Sequence, residues 1–572
     1  MRAMQRYGTW AAILVTLLAA CAPVATPTPK ATATPVRGSA KPTGVPTAAL
    51  VAATPTQAPE AKQASGPRRG GVFHLAHNTT IPTWDSMTIT TQALHGPISL
   101  IYDRPQRFGG GPPACKFLPP IPSAVETWKW VDSTTFEMRL RQGLRFHNRP
   151  PVNGREATAQ DLAWTINKLF AKTGLNMADL MPVVDRAEAI DKYTARIYLK
   201  RQYATLPERL VEDHFYLYAP EAVGEDLAIA KPEEHIGTGP FMFKSEVPGV
   251  NISLERAPDY WEKGLPYVDE FNFKIVPDAS TRAAMFRAGQ LDMVWREPTP
   301  ISVGLAKTPG VTVQKCPDLP VTALALSVDR PPFDNVLLRR AVAMAIDYDA
   351  MLKSVFQSEA VRLYAPIPYL GDPWYMQPQD YPAEVRKYLE YNPEEAKKLV
   401  AQAGYPQGLK TQVNYITRYA NSPQIAEALN AMLAKVGITL ELKLWDSTAF
   451  GNARTNKALE GMSLILTSPL PTAYGTVNFY HSTEGRGWYI SFGMKDQVVD
   501  EVGTKLTRAT DPKEQEALVR QLQARFADQQ FQIAMPAAMM FGISQPWVKS
   551  FYFQPLYLYD YADFMYAVWL DK

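Results

Sequence analysis

Cysteine is scarce, with three in 572 residues. That excludes a scaffold held by a disulfide framework and any zinc module built from several thiolates. Histidine is sparse as well, and the one close pair, His74 and His77, is three residues apart. In an extended chain that spacing puts the two rings on opposite faces, which does not suit a metal pair. No apolar run reaches the roughly 20 residues that a membrane-spanning helix needs. There is no P-loop, dinucleotide fingerprint, HExxH or GxSxG. Gly109-Gly110-Gly111 runs into Pro112-Pro113, which suits a loop and not a helix N-terminus cradling phosphate. No catalytic residue, metal ligand or cofactor site can be nominated, so an enzyme, such as a secreted hydrolase, has little support.

A strong charge of one sign is also lacking. The net charge is +3. Residues 1–20 carry +2, residues 21–69 carry +5 and the remaining body carries −4. A mildly acidic body argues against nucleic-acid binding, which calls for a basic stripe on the folded part. What is present is ample material for a packed core, 46% apolar and 20% charged. The length suits roughly three structural units.

The N-terminus has the order of a delivery signal. Arg2 and Arg6 precede an apolar run from Thr9 to Ala20, too short for a span and suited to a signal-peptide core. It ends in Leu18-Ala19-Ala20-Cys21, which resembles the bacterial lipobox, an aliphatic residue and two small ones before the Cys that is acylated. The alternative is an ordinary secretory signal that meets a Cys by chance. Two acyl chains on Cys21 would give lasting attachment where one gives marginal binding. Ala, Pro and Thr dominate from Cys21 to about Arg69 without helical or strand periodicity. Such a chain is an extended, solvated spacer.

From Gly71 the composition changes. Val72–Leu75, Phe136–Leu140, Tyr193–Leu199, Val250–Leu254 and Phe271–Ile275 read as strands, most of them alternating. Thr158 and Asp161 make a capping-box-like start for a helix whose Leu162, Ile166, Leu169 and Phe170 share a face. Asn392 and Pro393 open another helix, stopped by Gly404 and Pro406. A helix opened by Pro423 lies between strand-like Thr411–Tyr415 and Ile438–Leu444. That strand–helix–strand order predicts a partly parallel sheet. Asp334 and Asn335 read as helix-start residues, and Tyr260 and Trp261 as core anchors. Gly237 and Gly239 are expected to take backbone angles other residues avoid.

Long stretches resemble one family. The run from Ile121 to Phe170 contains ETWKW, an alternating strand with Arg139 and Leu140, then Gly143-Leu144-Arg145-Phe146-His147 and a helix opened by Ala159-Gln160-Asp161. Further along come Gly237-Thr238-Gly239-Pro240-Phe241, Pro258-Asp259-Tyr260-Trp261 and Ala288-Gly289-Gln290-Leu291-Asp292. Pro332-Phe333-Asp334 with Arg339-Arg340-Ala341 and Ala345-Ile346-Asp347 follows, then Asn392-Pro393-Glu394 to Ala403-Gly404-Tyr405-Pro406. This ordered set, from about Gly70 to the C-terminus, resembles the family 5 extracytoplasmic solute-binding proteins, the oligopeptide- and dipeptide-binding receptors of ABC importers.

The resemblance implies an α/β, two-lobed, periplasmic-binding-protein-like fold (type II, cluster C) with an additional inserted domain and mixed β-sheets. It places lobe I at 70–115, 235–325 and 541–572, the inserted domain at 116–234 and lobe II at 326–540, after a signal peptide at 1–20 and a linker at 21–69. It implies a monomer on the extracytoplasmic face of a bacterial cell membrane, held through Cys21, that passes a peptide or other small polar solute to permease and ATPase subunits without chemistry. A receptor coupled to a signalling partner is the alternative to a transporter. No cofactor or metal is implied. Outside the cytoplasm Cys115 and Cys316 could pair, which sequence leaves open.

Peptide receptors of this family neutralise the peptide amine with an Asp that follows a late strand. The matching stretch here, Leu464 to Tyr474, contains no acid, and Thr472 falls at that place. A buried ammonium without a counter-charge is costly. Either another acid such as Asp446 replaces it, or the solute is an oligosaccharide or another polar, neutral molecule. Family position nominates Asn78 and Thr79, next to His77 after the first strand, then Trp295, Trp374 and Trp445, and the loop residues Ser468, Thr472, Tyr474 and Asn478. For each Trp the alternative is core packing, and for Asn78 and Thr79 simple turn formation. The loop 467–478 is the leading candidate.

Overall fold

A computed structural model of the chain describes residues 66–86, 92–109, 119–171, 180–212, 214–224, 227–318, 321–367, 374–417, 419, 421–467, 475, 480–483, 490–553 and 565–572. The signal peptide, Cys21 and the linker as far as residue 65 lie outside these residues, as do Cys115, Ser468, Thr472, Tyr474 and Asn478. No helix among the described residues is long and apolar enough to cross a membrane.

The first sheet is mixed. Val72–His77 runs parallel to Glu270–Ile275, and antiparallel Asn251–Arg256 and Phe241–Val247 follow. Between its strands in sequence lies a separate antiparallel sheet of Val125–Asp132, Thr135–Leu140, Thr194–Leu199 and Val184–Ala189. Alternation builds it. Phe136, Met138 and Leu140 are fully buried, while Glu137 and Arg139 between them pair with Arg196 and Glu126. The helix Ala159–Ala171 packs against this sheet. Its start is the expected box, with the Thr158 N–H donating to Asp161 Oδ2 at 2.8 Å.

A five-stranded sheet occupies the later chain, in the order Ile438–Leu444, Leu409–Tyr415, Met462–Leu466, Thr322–Leu326, Gln532–Ala534. Leu409–Tyr415 is parallel to both of its neighbours, and the remaining pairings are antiparallel. The strand–helix–strand unit is therefore parallel, with Ser422–Ala434 as its helix. Asn335, Asp347 and Asn392 cap three helices of this region through the N–H groups of Leu337, Ala350 and Glu395 at 2.9, 2.9 and 3.0 Å.

A small sheet of Met293–Trp295, Ala537–Ser544 and Thr312–Pro317 completes the frame. The chain crosses between it and the five-stranded sheet twice, outward between Pro317 and Thr322 and back between Ala534 and Ala537. The two passages run side by side. The Met535 N–H donates to the Thr322 carbonyl at 3.0 Å, and the Asp318 N–H to the Ala538 carbonyl at 2.8 Å. Cys316, buried in the strand that enters the first passage, is disulfide-bonded; its prospective partner Cys115 is outside the described residues.

One expectation fails. Gly237 and Gly239 do not have positive φ. What they need is space, because a Cβ on Gly237 would stand 2.1 Å from the Ile101 carbonyl oxygen and one on Gly239 2.6 Å from the Ile101 carbonyl carbon. His147 clasps the same turn, its backbone N–H donating to the Gly237 carbonyl at 2.8 Å and its Nε2–H to the Gly239 carbonyl at 2.9 Å. Burial pushes the imidazole down to about 4, so it is neutral and its Nδ1 accepts from the Gly237 N–H.

Candidate functional site

On one side of the passages the first sheet and the small sheet form a first body, and on the other the five-stranded sheet forms a second. In the first body the anchor is Asp292. The His74 N–H donates to its Oδ2 at 2.7 Å, and its own N–H donates to the His74 carbonyl at 2.9 Å. His77 is three residues beyond His74, and Trp295 three beyond Asp292. Asn78 and Thr79 follow as exposed residues in a bend, with the Thr79 hydroxyl donating to the Thr80 carbonyl at 3.4 Å. Trp295 is only 8% exposed. It pairs with Gly542 across the sheet and meets the Phe553 ring edge-on at 5.9 Å, so its surroundings are those of a core residue. His74 is half-buried and His77 buried, as alternation requires. Burial lowers His77 to about 4. Among the described residues no group of three His, Cys, Asp or Glu could hold a metal ion.

The second body carries several aromatic side chains at its surface. Tyr364, Trp374, Tyr419 and Trp445 are half-buried and pack on one apolar cluster. Trp374 is set by Gln523, whose Nε2–H donates to the Trp374 carbonyl at 2.7 Å and whose Oε1 accepts from the Met376 N–H at 2.8 Å. Trp445 is aimed by Asn414, a residue that sequence reasoning missed. The indole N–H donates to Asn414 Oδ1 at 2.9 Å, and the Asn414 amide donates to the Glu460 and Met462 carbonyls at 2.7 and 2.8 Å. Every polar atom of that buried carboxamide is engaged, so the indole has one favoured orientation.

Asp446 is exposed and caps Ser447–Thr455, with Oδ1 accepting from the Thr448 and Ala449 N–H groups at 2.8 and 3.0 Å. Those bonds hold its carboxyl below the usual range. The nominated loop residues lie outside the described residues, while Thr467 before them and Tyr480 after them are described. Thr467 is buried and exchanges hydrogen bonds with Val321 at 2.8 and 3.1 Å, at the edge of the first passage. Tyr480 has its hydroxyl donating to the Pro366 carbonyl and its ring 4.3 Å from that of Phe526.

A second missed group is Asp103, which lies 5% exposed. It accepts from the Thr238 hydroxyl and the Trp261 indole at 3.0 Å each, and from the Tyr260 and Ser123 hydroxyls at 3.3 and 3.4 Å. Burial pushes its carboxyl up to about 6, against the pull of these donors. Two of the sequence motifs, one around Thr238 and one around Tyr260-Trp261, therefore meet on one carboxylate and serve the scaffold.

The model of bacterial extracellular solute-binding proteins, family 5 (Middle), matches residues 119–487. The chain belongs to this family. It is 29% identical over 343 residues to heme-binding protein A of Haemophilus influenzae, covering 55% of this chain and 60% of that relative. The match thus spans about three fifths of that relative's length. Di/tripeptide-binding protein 2 of Pseudomonas aeruginosa is 25% identical over 474 residues, covering 77% of this chain and 86% of its own. The periplasmic binding protein DppA of Helicobacter pylori, solved with the peptide STSA, superposes with a TM-score of 0.70 at 22% identity, covering 88% of this chain and 99% of its own. That likeness shows the fold, a mixed α/β periplasmic binding protein of the family 5 type.

Proposed function

We propose that this family 5 protein is the substrate-binding component of an ABC importer, which takes a peptide-like solute between two lobes and hands it on chemically unchanged. The observation that carries this is the pair of adjacent strand passages at 317–322 and 534–537 joining two sheets, within a chain matched by the family over 119–487. Lobe I comprises 70–115, 235–325 and 541–572, the inserted domain 116–234 and lobe II 326–540, with bending at the two passages. That bending point lies a few residues before the lobe boundaries. A solute touching both lobes favours the closed form, which permease subunits then recognise.

The site takes in Ser468, Thr472, Tyr474 and Asn478 of the loop 467–478, together with Trp374 and Trp445 and with Asn78 and Thr79. Trp295 supports that edge from within the core. Cys21 is acylated and tethers a monomer to the outer face of the cell membrane through the linker. Relatives named for heme and for di- and tripeptides indicate that the scaffold accepts different cargo.

A second reading, an oligosaccharide or other neutral polar solute, is favoured by one observation. The stretch from Leu464 to Tyr474 has no acid, and Asp446 is occupied as a helix cap. Thermal unfolding against panels of di- to pentapeptides and of oligosaccharides decides between them. A solute at 100 times its Kd stabilises by about 2.7 kcal/mol. Peptides are expected to raise Tm; a rise with sugars alone overturns the peptide reading.

A further inference from the structure

A small cavity lies within the body of the five-stranded sheet, and none of the residues nominated for solute lines it. Arg362 and Gln532 do, together with Tyr348, Tyr364, Phe526 and Ala534. Gln532 is 3% exposed, and neither polar atom of its carboxamide has a hydrogen-bond partner among the described residues. Gln532 and Ala534 lie two apart in the strand Gln532–Ala534, so their side chains share a face. On that face Ala534 packs in one cluster with Phe526 and Leu363, which also line the cavity. The carboxamide is therefore aimed into it.

Arg362 is half-buried beside two rings. Its guanidinium carbon lies 4.1 Å from the centre of the Tyr348 ring and 4.9 Å from that of Tyr364. One Nη donates to the Leu389 carbonyl, while the Nε–H is buried without a partner. No carboxylate among the described residues pairs with this guanidinium. The acid on this side of the body, Asp528, is taken by Arg340 at 2.5 Å, and Arg340 itself stacks at 4.3 Å on Tyr388 at the cavity's edge.

The cavity offers about 10 Å³ to the centre of a water-sized particle, which is room for about one. That size excludes an organic solute. We infer that the cavity is a binding site for one small inorganic anion, a halide such as chloride, which accepts from the Arg362 Nε–H and the Gln532 Nε2–H. A cation withdrawn from water without a counter-charge is costly, and ring faces attract it without carrying net charge. Water would satisfy the N–H groups and leave the charge standing. Gln532 Oε1 gains no donor from an anion, but a neutral acceptor left over costs less than an uncompensated charge. The site is separate from the solute reading and does not depend on it.

The test has two arms, both on the full chain without solute. In the first, thermal unfolding is followed as chloride replaces gluconate, an anion too large for the cavity, at constant ionic strength. Tm is expected to rise with the logarithm of chloride above its Kd, as selective binding to the native state requires. The rise is expected to be lost in Arg362→Met and reduced in Gln532→Met. No rise in the unchanged protein, or an equal rise in Arg362→Met, overturns the inference. In the second arm, crystals are soaked in bromide and anomalous diffraction is measured. A peak is expected between Arg362 Nε and the Gln532 carboxamide, and a water at that place without anomalous signal overturns the inference. Diffraction uses the unchanged protein, so it decides the matter alone if the variants do not fold.

Discussion

The ammonium of Lys572 stands 3.0 Å from Oδ1 of Asp292, a carboxylate only 1% exposed. The Trp547 indole donates to the same oxygen at 2.6 Å, and the His74 N–H to the other at 2.7 Å. One side chain thus ties the first strand, the strand ending in Trp295 and the chain's far end. Asp292→Ala leaves three donors without their acceptor and is expected to lower stability by about 3–5 kcal/mol. Lys572 is half exposed, so Lys572→Met is expected to lower it by no more than about 1 kcal/mol. Urea unfolding of both variants checks the ranking, and equal losses would contradict it.

Asp103 gives a pH dependence of defined sign. An unfolded Asp titrates near about 3.9, and the folded value is about 6. Between these the native chain keeps a proton that the unfolded chain has lost. The stability from this group is therefore full below about pH 4 and lost as the pH rises through about 6. The stability difference between the unchanged protein and Asp103→Asn is expected to shift by about 2–3 kcal/mol from pH 4 to pH 7. Parallel pH profiles would contradict it.

Gly237 tests close approach against backbone angle. Gly237→Ala drives a methyl into the Ile101 carbonyl and is expected to leave little folded protein. Gly143 has φ +77° with nothing within 4 Å of an added Cβ, so Gly143→Ala carries only backbone strain, about 1 kcal/mol. Soluble yield and Tm of the pair check this.

Much of the framework was legible in the sequence because its signals are local. Thr158 with Asp161, Asn335 and Asn392 lie within three residues of the groups they cap. The parallel unit around Ser422–Ala434 is written in periodicity and in Pro and Gly punctuation. Asp103 and Asp292 were not legible, since their side-chain donors sit up to 158 and 280 residues away, and nothing local marks an acid as buried. Tyr260 and Trp261 read as anchors, but what they anchor appears only in three dimensions. Asn414 was hidden for the same reason, as its indole partner is 31 residues on. The three tryptophans show the limit of composition. Trp295 is packed in the core, while Trp374 and Trp445 are half-buried, and only folding separates these cases.

Trp445 and Asn414 supply a site prediction. Trp445→Phe keeps an aromatic face and loses the indole N–H to Asn414. Solute affinity is expected to weaken about two- to tenfold, with a smaller effect on the Tm of the solute-free protein. An unaltered Kd by calorimetry would remove Trp445 from the site.

The central claim is that two bodies bend at the passages near Val321 and Met535 around a solute that leaves unchanged. Small-angle X-ray scattering of the full chain, with and without a saturating peptide from the panel, tests it most directly when the recovered peptide is weighed by mass spectrometry. The account predicts a smaller radius of gyration with peptide bound and a peptide of unaltered mass. An unchanged radius with peptide bound, or a peptide recovered in fragments, would contradict it.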